Sequence, residues 1–259
     1  MRRTIVLTVV MMAWAVMGGA QSVAPGGTIP AVSNISGEQG TFWRSDVSIL
    51  NLNPSDTSVV LVLLPELRND GPSFEPLITD PIPVPGGGQI TLANVVTSQF
   101  DLRNVKGGLS IFSSDGSPLV IASRTYTNSD QGGTFGLSIY GVLLVDAETA
   151  WVAAVEHDGF YRTNLGIFMP ADPVQPVIFS VTVRDNVGTE VGSGSLLFDR
   201  AGLKQKSLKF FGVGTLLDGW VEIRCSDPSV IWYGYAAVVD EVTGDSVYQP
   251  AVTYQGTLP

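Results

Sequence analysis

An internal repeat is the feature that most constrains the fold of this chain. An octapeptide returns 118 positions after its first occurrence, and most of its paired positions are identical or chemically close: Phe42-Trp43-Arg44-Ser45-Asp46-Val47-Ser48-Ile49 and Phe160-Tyr161-Arg162-Thr163-Asn164-Leu165-Gly166-Ile167. A second stretch, Gly108-Leu109-Ser110-Ile111, corresponds to Trp220-Val221-Glu222-Ile223 at a shift of 112. The repeat therefore predicts one structural unit used twice, through an internal duplication.

The N-terminus has the pattern of a secretory signal peptide over residues 1–20. Arg2 and Arg3 form a positive region, Ile5–Met17 is apolar, and small residues precede a cleavage point after Ala20. Residues 21–29 lack periodicity and predict a disordered tether. No later apolar run approaches the roughly 20 residues of a membrane span, so we expect no membrane insertion after cleavage. The expected location is secreted, periplasmic or at the cell surface.

The charge balance restricts the partners. The whole chain has a net charge of −10, and removal of Arg2 and Arg3 leaves 12 basic against 24 acidic residues, a net charge of −12. An acidic protein of this kind is repelled by nucleic acid and by anionic membrane surfaces. An extracellular protein or a glycan remains as the expected partner.

Short β-type segments separated by turn residues indicate the fold class. Breakers such as Asn53-Pro54-Ser55-Asp56 and the hairpin signature Asp185-Asn186-Val187-Gly188-Thr189 recur between runs rich in Val, Ile and aromatic residues. The prediction is an all-β protein with two tandem immunoglobulin-like β-sandwich domains, residues 30–147 and 148–259. Helix is expected to be nearly absent.

Cys225 is the one cysteine of the chain, so no intramolecular disulfide can form. It shares an alternating strand face with Val221 and Ile223, which predicts a small buried hydrophobic residue. A reactive or dimer-forming thiol is the alternative.

Alternation along the repeated strand assigns its two faces. Arg44 and Arg162 are expected on the outer, half-polar face of their strands, together with Asp46. The other set is expected to face the two cores: Trp43, Ser45, Val47 and Ile49 in the first copy, and Tyr161, Thr163, Leu165 and Ile167 in the second.

One pair of charges is present in the first copy and absent from the second. Asp46 and Arg124 correspond to Asn164 and Tyr235. Because an unpaired charge is costly when buried, the joint loss predicts an ion pair between Asp46 and Arg124 across neighbouring strands. Independent exposure of both side chains is the alternative. Tyr126, two residues after Arg124, is expected to contribute to the same structural face.

The first copy resembles a β-rich repeat of exported bacterial proteins. The segments that carry the resemblance are Pro30-Ala31-Val32, Gly40-Thr41-Phe42-Trp43-Arg44-Ser45-Asp46-Val47, Asn53-Pro54, Gly108-Leu109-Ser110-Ile111, Ser123-Arg124-Thr125-Tyr126 and Gly133-Thr134-Phe135-Gly136. The resemblance implies a module without assigned catalysis that occurs in tandem or beside other extracellular domains. The layout is also loosely similar to immunoglobulin-like adhesion repeats. The second copy departs from the pattern at Asn164 and lacks the Ser-Arg-Thr-Tyr element.

The residues offer little for catalysis. His157 is the only histidine, and no Gly-x-Ser-x-Gly motif accompanies it. With one histidine and one cysteine, zinc, haem and iron–sulfur sites are excluded. Two carboxylates could serve glycoside hydrolysis, but the sequence singles out no pair among 24 acidic residues. We therefore expect no enzymatic activity.

An acidic turn is a candidate calcium site. Asp240, Glu241 and Asp245 place three carboxylates in one turn between strands, and the turn at residues 128–131 occupies the related position in the first copy. Oxygen-rich turns suit a hard cation. The alternative is an ordinary hydrophilic hairpin, since Asp, Asn and Gly favour turns in any case.

Aromatic residues of the second copy are a candidate ligand platform. In Trp232-Tyr233-Gly234-Tyr235, one alternating set must face the core. If Tyr233 and Tyr235 are exposed, they form a flat surface for sugar rings. Alternatively both sets are buried, one in the sandwich and one against the first copy. The expected function is thus a non-catalytic structural or adhesion-type module, with carbohydrate binding through these aromatics as the alternative.

Overall fold

The computed structural model describes residues 24–37, 40–67, 75–129, 132–142 and 144–253. The predicted signal peptide lies outside the described residues. So do residues 130 and 131 of the turn that was compared with the acidic turn of the second copy. Within them the chain is nearly all β, with antiparallel sheets stacked on apolar cores, which confirms the predicted β-sandwich class. None of the described helices is long and apolar enough to cross a membrane.

The first half forms one continuous nine-stranded sheet folded around its core. Its elements are β1 (Gly26–Ser36), β2 (Phe42–Asn51), β3 (Thr57–Pro65), β4 (Leu77–Ile78), β5 (Ile82–Val84), β6 (Gln89–Leu92), α1 (Val95–Phe100), β7 (Val105–Ser113), β8 (Leu119–Asn128) and β9 (Thr134–Tyr140). The strand order is β4-β3-β7-β1-β2-β8-β9, while β5 pairs with β3 and β6 pairs with β2.

Strand β1 joins the two layers of the first sandwich. It pairs with β7 from Gly26 to Asn34, with a register shift between Ile29 and Val32, and its last three residues pair with β2. Because Gly26 already pairs with Phe112 of β7 and Ile29 is fully buried, the predicted disordered tether is wrong for residues 26–29. Backbone pairing and burial of one isoleucine are enough to order a segment that shows no periodicity.

The second half forms two five-stranded sheets that face each other. Its elements are β10 (Val145–Asp146), β11 (Thr149–His157), β12 (Tyr161–Met169), β13 (Val177–Asp185), β14 (Glu190–Phe198), β15 (Gly202–Ser207), a 3₁₀ turn (Leu208–Phe211), β16 (Leu216–Cys225), β17 (Ile231–Asp240), β18 (Ser246–Pro250) and β19 (Val252–Thr253). One sheet has the order β14-β13-β16-β11-β19; the other has β10-β17-β12-β15, with β18 against β17. By its pairing, β10 belongs to the second sandwich.

The strand pairings of the second half follow those of the first. β1 pairs with β7, which pairs with β3, just as β11 pairs with β16, which pairs with β13. Likewise β2 contacts β6 and β8, and β12 contacts β15 and β17. The similarity concerns the order of pairing; a duplication as its origin stays a prediction from the sequence.

The repeated strands bury the predicted faces over most of their length. Ser45, Val47 and Ile49 of β2 are fully buried, and Thr163, Leu165 and Ile167 of β12 are too. Trp43, near the start of β2, is only half-buried. Tyr161 departs further from the prediction, because it lies at the start of β12 with 37% of its surface exposed. Its predicted core position is therefore wrong: the cross-strand partner Asp240 is the last residue of β17, so the core does not extend to this end.

A third apolar cluster lies between the two sandwiches. Its buried members are Leu64 of β3, Phe168 of β12, Leu203 of β15 and Tyr235 of β17. The backbone also connects the halves, since the N–H of Leu67 donates to the carbonyl of Leu203 at 2.7 Å. The outer face of the β12–β17 sheet is thus covered by the first sandwich.

Candidate functional site

The tyrosines predicted to form a sugar platform lie in the interface between the sandwiches. Tyr235 is 1% exposed, its ring stacks on Tyr248 at a centroid distance of 5.5 Å, and Tyr233 packs half-buried beside them. Burial raises the pKa of the Tyr235 hydroxyl above its ordinary value. Trp232, on the opposite face, belongs to the core of the second sandwich. The exposed platform is therefore wrong, and the alternative with both sets buried is what the structure shows.

The acidic turn directs its carboxylates to separate partners. Asp240 accepts hydrogen bonds from the backbone N–H groups of Thr243 and Val242, which lower the pKa of its carboxyl group. Glu241 pairs with Arg162 at 3.2 Å, and Asp245 accepts from the N–H of Ser246. In the described part of the chain, no three acidic, histidine or cysteine side chains converge as metal ligands. The geometry of this turn gives the calcium prediction no support.

Asp46 and Arg124, which were predicted to form an ion pair, lie opposite each other but bind other groups. Asp46 lies directly opposite Arg124 in the register of β2 and β8. Asp46 accepts from the N–H of Asn94 at 2.8 Å, while Arg124 donates to the hydroxyl of Thr134 and lies over the ring of Tyr126. Since no contact within 4.0 Å joins these two described side chains, the predicted ion pair is not formed.

Trp43 and Arg162, which were also predicted to be structural, lie at the boundary between the sandwiches. Trp43 donates from its indole N–H to the hydroxyl of Thr41 at 3.2 Å, and both line a small recess with Arg162 and Glu241. Cys225 is 4% exposed within the core of the second sandwich, and burial raises the pKa of its thiol. The burial agrees with the core prediction and gives a reactive thiol no support.

A concave surface lies on the outer face of the sheet that contains β11 and β16. This groove has a volume of about 520 Å³ and is open to solvent. Its lining residues come from β11, β16, β19 and the β13–β14 turn: Trp151, Val152, Ala153, Ala154, Asn186, Asp218, Gly219, Trp220 and Val252. We call it the tryptophan groove.

Strand register explains why the two tryptophans lie side by side. Trp151 of β11 is opposite Glu222 of β16, and Trp220 lies two residues further along the same face of β16. Such diagonal neighbours are about 7–8 Å apart in a regular antiparallel pair. Val152 and Val221, on the other face, are fully buried in the core. Both indole rings are half-buried and contribute to the wall of the groove.

The backbone is irregular at the groove. The β11–β16 register shifts between Val152 and Val155, and Ala154 has a φ of 54°, in the left-handed region. A non-glycine residue in this region is strained, and such strain often accompanies binding sites. An irregularity of this kind bends the strand and increases its local twist beside Trp151 and Trp220.

Polar groups stand at the edge of the groove. The guanidinium of Arg184 lies 5.7 Å from the ring of Trp220, which fixes that ring against the neighbouring strand. Asp218 and Asn186 are exposed and provide one carboxylate and one amide. The β13–β14 hairpin that presents Asn186 forms as predicted, with Asp185 accepting from the N–H groups of Val187 and Thr189.

Sequence reasoning missed this groove, although a signal was present. Trp220 begins a run in which Trp220, Glu222 and Arg224 alternate with core residues, so the tryptophan shares a face with charged side chains. Trp151 occupies the same position relative to Val152. A large aromatic residue on the polar face of a strand is expected to expose part of its ring to solvent.

Comparisons with known proteins assign no family. No family model matches the chain, and no curated protein matches its sequence. One solved structure, a glycosyl hydrolase family 2 member from Bacteroides cellulosilyticus, is similar at 9% identity and a TM-score of 0.19. The match covers 88% of this chain and 28% of that one. A likeness this weak carries no argument.

Proposed function

We propose that this is an exported, non-catalytic binding protein that binds carbohydrate in the tryptophan groove. The observation that carries the proposal is the adjacent placement of Trp151 and Trp220 in an open groove with polar groups at its edge. Indole rings offer flat apolar surfaces for the carbon faces of sugars, while Asn186 and Asp218 can bond to hydroxyl groups. The tyrosines that first suggested carbohydrate binding contribute nothing to this site.

The size and shape of the groove suit part of a polymer. A volume of about 520 Å³ lies within the range of small-ligand sites. Because the groove is open to solvent, a sugar chain that binds in it can extend beyond it. The proposed ligand class is therefore a polysaccharide rather than an enclosed monosaccharide.

The lining favours binding over hydrolysis. Glycoside hydrolysis uses two carboxyl groups on either side of the scissile bond. Among the described residues that line the groove, Asp218 supplies one carboxylate. The proposal is accordingly for retention of a glycan without cleavage.

Glycan binding by the purified exported protein tests this proposal. We expect affinity for at least one neutral polysaccharide in a panel of cellulose, xylan, mannan, chitin and starch. Trp151→Ala and Trp220→Ala should each weaken that binding about 10- to 100-fold, as for loss of a central aromatic contact. Phe160→Ala is the matched control, since Phe160 is 64% exposed and outside the groove. Absence of wild-type binding, or equal binding by both tryptophan variants, overturns the proposal.

A structural or adhesion-type role is the second candidate function. It is supported by the apolar interface that joins the sandwiches around Phe168 and Tyr235. A protein whose domains are held in a fixed relative position can act as a spacer or scaffold outside the cell. Two results together would support this role: no glycan binds in the groove, and the two sandwiches unfold in a single transition.

A further inference from the structure

We propose that the outer face of β2, β8 and β9 in the first sandwich binds a carboxylate-bearing sugar polymer, through Arg44 and Arg124. This surface, which we call the arginine face, lies in a different sandwich from the tryptophan groove. The inference goes beyond the proposed function and does not depend on it.

Strand register assembles the arginine face. Three rows of residues run across β2, β8 and β9 and point away from the core: Arg44, Tyr126 and Gly136; Asp46, Arg124 and Ser138; Ser48, Ala122 and Tyr140. The face therefore combines two guanidinium groups, two phenol rings, two serine hydroxyls and the carboxylate of Asp46.

The two arginines converge on one aromatic ring. The guanidinium carbons of Arg44 and Arg124 lie 4.7 Å and 4.9 Å from the centroid of Tyr126. The two positive charges are thus no farther apart than the sum of those distances. An anion bound beside this ring is attracted by both positive charges.

Neither guanidinium has a carboxylate partner within the described part of the chain. Arg44 donates to the side-chain oxygen of Asn128 at 2.7 Å, and its Nε–H group is buried without an acceptor. Arg124 is exposed and donates to Thr134. Asp46 is the nearest acid in the register, and one of its oxygens accepts from Asn94. The buried Nε–H of Arg44 is out of reach of a ligand, but the remaining N–H groups of the two guanidinium groups are available to an external acceptor.

A carboxylate is the anion that matches this arrangement. Guanidinium groups present parallel N–H donors that bind both oxygens of a carboxylate. The net charge of −10 repels polyanions at long range, but physiological salt screens charges beyond about 8 Å. At contact distance the local pair of arginines decides the interaction.

The same face favours a sugar over an acidic peptide. Tyr140 is 53% exposed, and Ser138 beside it is also exposed. An open phenol ring and a hydroxyl group next to a cationic pair fit a uronic acid, which has an apolar ring face, hydroxyl groups and one carboxylate. An acidic peptide also satisfies the arginines, but its backbone offers no apolar ring face for Tyr140 to stack on.

Binding to polygalacturonate tests the proposal, with methyl-esterified polygalacturonate as the ligand control because its carboxylates are blocked. We expect the full exported protein to bind the acid form at least about 10-fold more tightly. Arg44→Gln and Arg124→Gln should each weaken binding about 10-fold, and the double variant about 100-fold. Arg103→Gln, which removes an exposed charge elsewhere in the same sandwich, should leave binding unchanged.

Lysine substitutions separate binding from folding. Arg44→Lys and Arg124→Lys keep the charge and the apolar stem over Tyr126 but lose the paired donors. If the arginines bind a carboxylate, the lysine variants keep the wild-type melting temperature and bind polygalacturonate several-fold more weakly. If the lysine variants bind as the wild type does, the paired-donor geometry is wrong and the proposal falls.

The remaining outcomes are also distinguishable. Equal affinity for the esterified polymer, or binding to poly-L-glutamate alone, overturns the proposal. The Trp151→Ala/Trp220→Ala double variant should retain polygalacturonate binding. If it loses that binding while the arginine variants retain it, the acidic glycan belongs to the tryptophan groove and the arginine face has no such role.

Discussion

At the scale of single residues, the carboxylate of Asp115 has the densest set of hydrogen bonds. It accepts from the hydroxyls of Ser113 and Thr57 at 2.7 Å and 2.6 Å, and from the N–H of Ser117 at 2.9 Å. These bonds hold the pKa of Asp115 well below its ordinary value. Asp227, at the corresponding turn of the second sandwich, accepts from the side chain and backbone of Ser229, which also lower its pKa.

Acid should therefore remove a stabilising contribution of Asp115. Because its folded-state pKa is depressed, the contribution is present above the unfolded pKa of about 3.9 and is lost as pH falls toward the folded value. We expect Asp115→Asn to be less stable than the wild type at pH 7, with the difference shrinking below about pH 4. Urea midpoints at several pH values measure this. Asp80→Asn, at an exposed position outside the network, is the control, and a pH-independent difference contradicts the assignment.

At the scale of elements, β11 shows how one strand shapes the tryptophan groove. The strand pairs regularly with β16 up to Val152, which lies opposite Val221. The next pair is Val155 with Gly219, so two residues of β11 lie opposite the single residue Trp220. Ala154 adopts a left-handed φ of 54° within this irregular segment. An L-residue with a side chain is strained there by about 1–2 kcal/mol, whereas glycine is not.

Glycine substitution at adjacent alanines should have opposite effects. Ala154→Gly relieves the left-handed strain and is expected to be neutral or stabilising by up to about 1 kcal/mol. Ala153→Gly adds backbone freedom without relieving strain and should destabilise by about 0.5–1 kcal/mol. Both residues are exposed in the same strand, so the pair is closely matched. Denaturant unfolding measures the two changes, and a larger loss at Ala154 contradicts the backbone assignment.

At the scale of the whole molecule, the interface makes the two sandwiches one unit. Phe168 is fully buried against Gly108 of β7, where any added Cβ would lie 2.1 Å from a ring carbon. Lys106 pairs with Glu66 at 2.9 Å and donates to Gln205 of the second sandwich at 2.9 Å. Position 108 therefore needs a glycine because the Phe168 ring of the second sandwich leaves no room for a side chain, and not because of the conformation of its own strand.

The interface predicts a single cooperative unfolding transition for the full chain. Gly108→Ala places a methyl group against Phe168 and should destabilise by about 1–3 kcal/mol. In a Phe168→Ala background the same change should cost less, because the ring that it meets is gone. Calorimetry measures both effects, with Gly159→Ala as a control at a glycine with open space around it. Two separate transitions in the wild type would contradict an obligate interface.

The local pattern of the sequence determined the elements, and tertiary packing decided the sites. Alternation in β2 and β12 predicts the core face, because side chains point to opposite faces of a strand whatever lies beyond them. The Asp185 hairpin follows from turn chemistry within five residues. These properties depend on neighbours along the chain.

The fate of the outer faces could not be read from the sequence. Tyr235 and Trp220 are both aromatic residues in the middle of a strand, yet Tyr235 is covered by the first sandwich and Trp220 lines an open groove. The difference comes from which sheet faces the other domain. Asp46 likewise binds Asn94, which is 48 positions away, instead of its cross-strand neighbour Arg124. Contacts between segments distant in the sequence, within one sandwich or between the two, form only in the folded tertiary structure, so no local pattern contains them.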